Sequence, residues 1–271
     1  MFVLCINNLF SYALQIKGKV TNSLNGNPIE FVNIGIQKKN VGTITNEKGE
    51  FIININDTLI NESITFSCIG YKSQDVKINT LNTSSDQVII AMEPVIQILD
   101  EVKIIVRPMK EKSFGILAHN PLLWGSAISD NRGDIIEVAR TIAIKNKETK
   151  IVSAHIFLNA APSDSGTFRL NFYYLKNGKP DSLAIKKSII RTLTLKRGWI
   201  EIDVNDENIY LNRDFAFAFE YLPTGKKKVE KYKLMYGGKL GGNDSYSRSS
   251  SQGTWQKSQG AAYTMYLKVK Q

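Results

Sequence analysis

The sequence predicts an all-β chain folded as two β-sandwich domains, and three observations lead there. Apolar and polar residues alternate with period 2 in one segment after another, as strands with one buried face require. Short turns rich in Gly, Asn, Asp and Pro separate those segments. Helical periodicity is almost absent, and 271 residues suffice for two domains of modest size.

Composition sets the outer limits. Hydrophobic residues make up 42% of the chain and charged residues 22%, with a mean hydropathy of -0.18, which describes an ordinary globular protein. A net charge of +10 and a pI near 9.4 favour anionic partners. No dense Lys/Arg block with interleaved aromatics occurs, so nucleic acid is not expected as a partner and Lys is read as dominating the solvated faces.

Residues 1–13, MFVLCINNLFSYA, are apolar enough for the core of a secretory signal and far too short to span a bilayer. Ser11 and Ala13 occupy small-residue positions before a cleavage point, giving a mature start at Leu14 and a mature chain without a transmembrane segment. No Lys or Arg precedes Phe10, so the leader is expected either to begin upstream or to work with its terminal amine alone. Cys5 lacks the small pair that normally precedes a lipidated cysteine. Cleavage would leave Cys68 as the only cysteine, expected as a small buried residue, with packing in place of a disulfide.

A first domain is expected over residues 14–106. Ile16 to Val20 opens it, followed by an Asn- and Gly-rich turn at Asn22 to Pro28. Val32, Ile34 and Ile36 alternate with Phe31, Asn33 and Gly35. Asn46 to Gly49 supply a four-residue turn, and beyond it Phe51, Ile53 and Ile55 alternate with Ile52, Asn54 and Asn56. Ile64, Phe66 and Cys68 repeat the pattern, Tyr71 to Ile78 and Gln87 to Met92 complete the sheets, and the β-branched run Leu99 to Val106 reads either as the last strand or as a connection that pairs with the next domain. Residues 107–125 read as a linker.

The pieces GKVTNSLNGNPIEFVNIGI, GTITNEKGEF, ITFSCIGYKSQDVKI and LDEVKI resemble, in order and spacing, the carboxypeptidase-like regulatory domain of Bacteroidota envelope proteins, also found before the plug of SusC-type receptors. The resemblance covers about a third of the chain and implies a seven-stranded, transthyretin-like sandwich without catalytic residues of its own. A truncated SusC-type receptor is excluded by length, because a plug plus an outer-membrane barrel needs a long series of lipid-facing strands.

The second domain is expected over residues 126–271. Strands are predicted at Ile135 to Lys145, Ile151 to Leu158, Phe168 to Leu175, Ile185 to Leu195, Trp199 to Val204, Phe215 to Leu222, Tyr232 to Tyr236 and Ala262 to Val269. Eight or nine short strands with such turns suggest a two-sheet sandwich of jelly-roll type. The runs GTFRLNFYYLKNGKPDSL, RGWIEIDV and FAFAFEYL are similar to regions that follow the regulatory domain in uncharacterised Bacteroidota proteins.

Chemistry is sparse. His119 and His155 are the only histidines and stand on separate segments, so no zinc-peptidase pair exists and no metal or other cofactor is expected. His155 shares a strand face with Ser153 and Phe157 and reads as a hydrogen-bonded strand residue. Glu201, Asp203 and Glu220 are read as the acids embedded in apolar strands, the basis of an alternative reading as a glycan-active hydrolase. Neither a Gly-x-Ser-x-Gly turn nor a P-loop occurs, and GGKLGGND at Gly237 to Asp244 reads as a hairpin loop. The richest surface stretch is Gly241 to Gly260, where Tyr246, Arg248 and Trp255 stand among small hydroxyl residues, the residue types that stack on and hydrogen-bond a sugar ring. Trp199 is expected in the core. The expected protein is therefore exported and non-catalytic, with a docking sandwich, a ligand-binding sandwich whose contacts are Tyr246, Arg248 and Trp255, and a glycan or envelope protein as partner.

Overall fold

A computed structural model describes residues 13–81, 87–95, 108–129, 134–161, 163–223 and 232–271. Residues 1–12 of the expected signal, Cys5 among them, and the run Leu99 to Val106 lie outside the described residues.

In the first domain the strands are β1 (Ala13–Asn22), β2 (Asn33–Ile36), β3 (Val41–Ile44), β4 (Glu50–Asn56), β5 (Ser63–Ser67), β6 (Gln74–Lys77) and β7 (Val88–Met92). They form a three-stranded sheet, β4-β1-β7, and a four-stranded sheet, β3-β2-β5-β6. Alternation decides which side is buried: Phe51, Ile53 and Ile55 of β4 point inward while Ile52 stays exposed. The Asn46 side chain closes the turn before β4 by accepting from the Lys48 and Glu50 amides at 2.9 Å, and Gly49 takes the left-handed conformation there (φ 73°). Ile16, Val20, Ile34 and Phe66 fill the space between the sheets, each contributing about 1.5–3 kcal/mol of burial.

The second domain contains β8 (Glu111–Gly115), β9 (Trp124–Ser129), β10 (Ile136–Ile142), β11 (Thr149–Ala160), β12 (Ser165–Lys176), β13 (Lys179–Leu183), β14 (Ile189–Thr194) and β15 (Gly198–Asp203). These are followed by β16 (Tyr210–Leu211), β17 (Phe215–Leu222), β18 (Tyr232–Leu240), β19 (Ser245–Arg248), β20 (Gln256–Lys257), β21 (Ala261–Tyr263) and β22 (Met265–Lys270). One sheet runs β13-β12-β17-β10-β19-β20, with β14 beside β12. The other is built on β18, β11, β22 and β8, joined by β9, β15, β16 and β21. Successive strands cross between the sheets (β10, β11, β12, then β15, β17, β18, β19), the alternation of a jelly-roll-like sandwich. Phe168, Leu170, Phe172, Phe215, Phe217 and Phe219 fill its core.

Three expectations change. The stretch read as a linker supplies β8, whose Phe114 packs on the second core, because β22 needs a neighbour along its free edge. The stretch read as a surface loop contains β19, an inner strand of the first-named sheet between β10 and β20. The single strand expected at the C-terminus divides at Thr264, whose amide bonds to Gly237.

The two domains are joined face to face. The outward side of the four-stranded sheet (Asn33, Gly35, Gly42, Ile44) meets the outward side of the β12-β17-β10-β19 sheet and the 250–254 loop. Phe31, Ile44, Ile135 and Leu222 form a small apolar cluster at the seam. A Cβ on Gly35 would lie 2.3 Å from the Ser251 carbonyl oxygen, so glycine there is what allows the close approach.

Candidate functional site

The outward side of the β12-β17-β10-β19 sheet carries a row of charge that sequence reading found only in part. Register places Arg169 opposite Glu220, Glu220 opposite Glu137, and Glu137 opposite Arg248, one residue from each of four neighbouring strands. Both glutamates are 0% exposed. Opposite side chains stand about 5 Å apart, where two like charges repel by about 3 kcal/mol at an effective dielectric near 20. The flanking arginines offset that cost: Arg169 Nη1 lies 3.2 Å from Glu220, and Arg248 Nε donates to Glu137 at 2.6 Å. Asn171 donates to both carboxylates, at 2.9 and 2.7 Å, and Tyr173 donates to Glu137 at 2.8 Å. Burial pushes the Glu137 carboxyl up, and Arg248 opposes the shift.

This network is also the weld between the domains. Arg169 Nη2 donates to the Phe31 carbonyl at 2.7 Å. In the orientation that pairs donors with acceptors, the Asn33 amide donates to Glu220 at 3.2 Å and accepts from Arg169 at 3.1 Å. Phe31 has φ 56°, a costly conformation for a bulky residue, and Thr45 steadies the segment by bonding the Ile29 carbonyl and the Val32 amide.

The three residues expected to bind ligand meet here, in a different role. Tyr246 is only 3% exposed, over Ala139 and Ala218, and donates to the Gly178 carbonyl at 2.8 Å. Arg248 is taken up by Glu137, and the half-buried Trp255 ring lies 4.7 Å from its guanidinium and edge-on to Tyr173. They cover the sheet instead of presenting a free stacking platform. The small side chains beneath, Ala139, Ala216 and Ala218, leave the room that draws these aromatics inward.

The opposite side of the sandwich carries an aromatic face on which Trp124 and Trp199 are exposed, while Ser153, His155 and Phe157 are buried under their neighbours. On β11, Ser153, His155 and Phe157 point outward, opposite Asp203, Glu201 and Trp199 of β15, with Tyr266 of β22 opposite His155. His119 stacks on Phe157 (3.9 Å), Tyr266 stacks on His155 (4.2 Å), and Trp199 meets Phe157 and Tyr266 edge-on. Trp199 is 38% exposed, not core, because its strand lies beside β11 with the indole on the solvent side. Trp124, 51% exposed, stands opposite Gly237, where an added Cβ would touch Phe157. Glu201, Asp203 and Lys268 supply charge around these rings. The LLW run before Gly125 and the Trp-x-Glu-x-Asp spacing of β15 were the sequence signals for this face.

The structure parts Glu220 from the other two acids and leaves Glu201 and Asp203 together on one face of β15. Glu220 lies on the far side of the sandwich from Glu201 and Asp203, with two sheets about 10 Å apart between them. Ser153 Oγ is 2.8 Å from His155 Nε2, but Glu201 lies 3.5 Å from the same nitrogen, so it does not orient the ring from the other side as a triad acid does. Burial, opposed by Glu201 and reinforced by Lys268, holds the His155 pKa below its ordinary value. Among the described residues no cluster of His, Cys, Asp and Glu could hold a metal, and no helix is long and apolar enough to cross a membrane.

Comparison with known proteins adds the following. No curated protein matches the chain. Among solved structures, a clostridial cysteine protease, Cwp84, after propeptide cleavage is similar over 93% of this chain and 61% of that one, at 11% identity and a TM-score of 0.44. The cysteine protease and lectin-like domains of Cwp84, a surface layer associated protein of Clostridium difficile, are similar over 54% of this chain and 36% of that one, at 11% identity and a TM-score of 0.39. The chain thus spans less than two thirds of the length of both. The first sandwich is matched directly: residues 16–104 form a CarboxypepD_reg-like domain.

Proposed function

We propose that this is a non-catalytic, exported protein of the bacterial envelope, in which the CarboxypepD_reg-like sandwich is a structural docking module and the second sandwich binds carbohydrate on its exposed aromatic face. The observation that carries this reading is the pair of exposed indoles, Trp124 and Trp199, around the stacked His119 and Phe157. Aromatic faces take the C–H side of a sugar ring, while neighbouring charged groups such as Glu201, Asp203 and Lys268 meet its hydroxyls. Export is supported by the apolar run of residues 1–13, with the small residues Ser11 and Ala13 near its end. The first domain's part in docking is supported by its seam with the second, where Phe31 and Asn33 meet Arg169 and Glu220.

A glycan array probed with the full chain tests the binding, with Trp199→Ala as the paired sample. Capture of a saccharide by the wild type and its loss in W199A is the expected result. An array without signal, or sugar release by the wild type, would overturn the reading.

A further inference from the structure

The segment 116–123 joins β8 to β9 across the aromatic side of the second sandwich, and both of its ends are held. The Ile116 amide donates to the Met265 carbonyl at 2.9 Å, and the Leu123 carbonyl accepts from the Gly238 amide at 2.9 Å. Between them His119 stacks on Phe157. The Asn120 side-chain oxygen accepts from the Leu122 amide at 2.9 Å and the Asn120 carbonyl from the Leu123 amide at 3.2 Å, so the crest is a tight turn. With Ile116 buried and His119 laid on Phe157, Leu117 and Leu122 are left outside, 53% and 85% exposed.

Single exposed leucines are ordinary, but these two have apolar company. Trp124 stands just beyond the crest, opposite Gly237, and Trp199 stands opposite Phe157, so both indoles flank the ring on which the loop rests. Residues 114–129 contain no Asp, Glu, Lys or Arg in a chain of which 22% is charged, so no charge within the loop opposes its transfer to an apolar medium. Cations stand beside it. Lys196 and Arg197 lead into β15 just before Trp199, Lys239 follows Gly237 by two residues, and all three are exposed. The carboxylates Glu201 and Asp203 lie further along β15, opposite His155 and Ser153, and Asp244 is taken up by Arg140.

An apolar crest, indoles at its base and cations around it match the layers of a membrane surface: acyl chains, headgroup boundary and lipid phosphates. A protein partner fits less well, because lysine is depleted at protein interfaces and leucine is under-represented among the residues that carry their affinity. We propose that the 116–124 loop docks the second sandwich on an anionic lipid surface, with Leu117 and Leu122 entering the lipid and Lys196, Arg197 and Lys239 against its phosphates. The contact is peripheral and reversible, and it goes beyond the carbohydrate reading without depending on it.

The test is co-flotation of the full chain with vesicles of phosphatidylcholine alone and of equal parts phosphatidylcholine and phosphatidylglycerol. The expected result is capture by the anionic vesicles that weakens at raised ionic strength and falls about tenfold in the double variant Leu117→Ser, Leu122→Ser. Both leucines are exposed, so this variant should keep the wild-type unfolding midpoint. Lys196→Glu combined with Arg197→Glu should lower capture severalfold. No capture, equal capture by both kinds of vesicle, or capture unmoved in the leucine variant would overturn the proposal. So would a dimer that the leucine variant disperses without any flotation, which would assign the crest to a second copy of the chain. A glycan-array signal without flotation removes this inference alone, whereas flotation without an array signal removes only the carbohydrate reading.

Discussion

The two outward faces of the second sandwich reverse what their side chains suggest. The face bearing Arg169, Glu220, Glu137 and Arg248 reads as solvated, yet it is buried beneath the first domain and the 250–257 segment. On the face bearing Trp199, Phe157, Tyr266 and Trp124, Trp199 is expected in the core, yet both indoles meet solvent. Charge is tolerated inside because each carboxylate has its own guanidinium and shares an amide; aromatic surface is left outside where no element covers it. A residue's polarity therefore says less about its position here than its cross-strand partners do. Substitutions on the covered face should change stability, and those on the open face should change binding.

The largest expected effect is Arg169→Ala. It leaves Glu220 and the Phe31 carbonyl without their cation, and breaking a buried pair from one side costs about 3–5 kcal/mol. Urea denaturation monitored by tryptophan fluorescence would measure it, and a loss under about 1 kcal/mol would show that the charged row does not hold the seam.

Next comes pH. Asp134 lies at the seam, where its Oδ1 accepts from the Ser251 amide at 2.9 Å, and burial raises its pKa from 3.8 to about 6. The folded chain thus holds this proton more tightly than the unfolded chain. The group's stabilising contribution is complete below about pH 4 and is lost as pH rises through 6, a change of about 3 kcal/mol for a shift of about two units. Asp134→Asn removes that titration while Glu137 remains in both proteins. The difference between the two urea midpoints should therefore change across pH 4–7, and parallel pH profiles would contradict the assignment.

Gly35→Ala should cost about 1–3 kcal/mol, because the added methyl overlaps the Ser251 carbonyl and must push the domains apart. Calorimetry should show one transition splitting towards two. An unchanged single transition would mean that the seam adapts around the methyl.

The smallest stability effect is expected on the open face. Trp199→Ala forfeits two edge-on aromatic contacts worth about 0.5–1.5 kcal/mol each, partly offset by its exposure, so a loss of about 1 kcal/mol is expected. Its saccharide affinity should fall at least tenfold, or about 1.4 kcal/mol. A large fall in stability with affinity intact would reverse the comparison.

Much of the fold was legible in the chain. Period-2 alternation in β4, β5 and β12 placed Phe51, Ile64 and Phe168 on their inner faces, because apolar alternation and an inward-facing side have the same physical cause. The order and spacing of the motifs from Ile16 onward located the first domain, and the shared face of Ser153, His155 and Phe157 followed from counting residues. Segments without alternation were not legible. The Ser-rich β19 reads as loop, and it becomes an inner strand only because β10 offers it an unpaired edge.

By itself, then, the sequence determined the strands that alternate, which side of most of them faces the sandwich core, and what the N-terminal third is similar to. Only the tertiary structure decided what happens on the other side of each strand: that Tyr246, Arg248 and Trp255 are packed, that Glu137 joins Glu220 between two arginines, and that Trp199 is left in solvent. Local alternation records one buried face per strand. Whether the second face is covered depends on which distant segment docks there, and that information lies in pairs of residues far apart in the chain, such as Phe31 with Arg169.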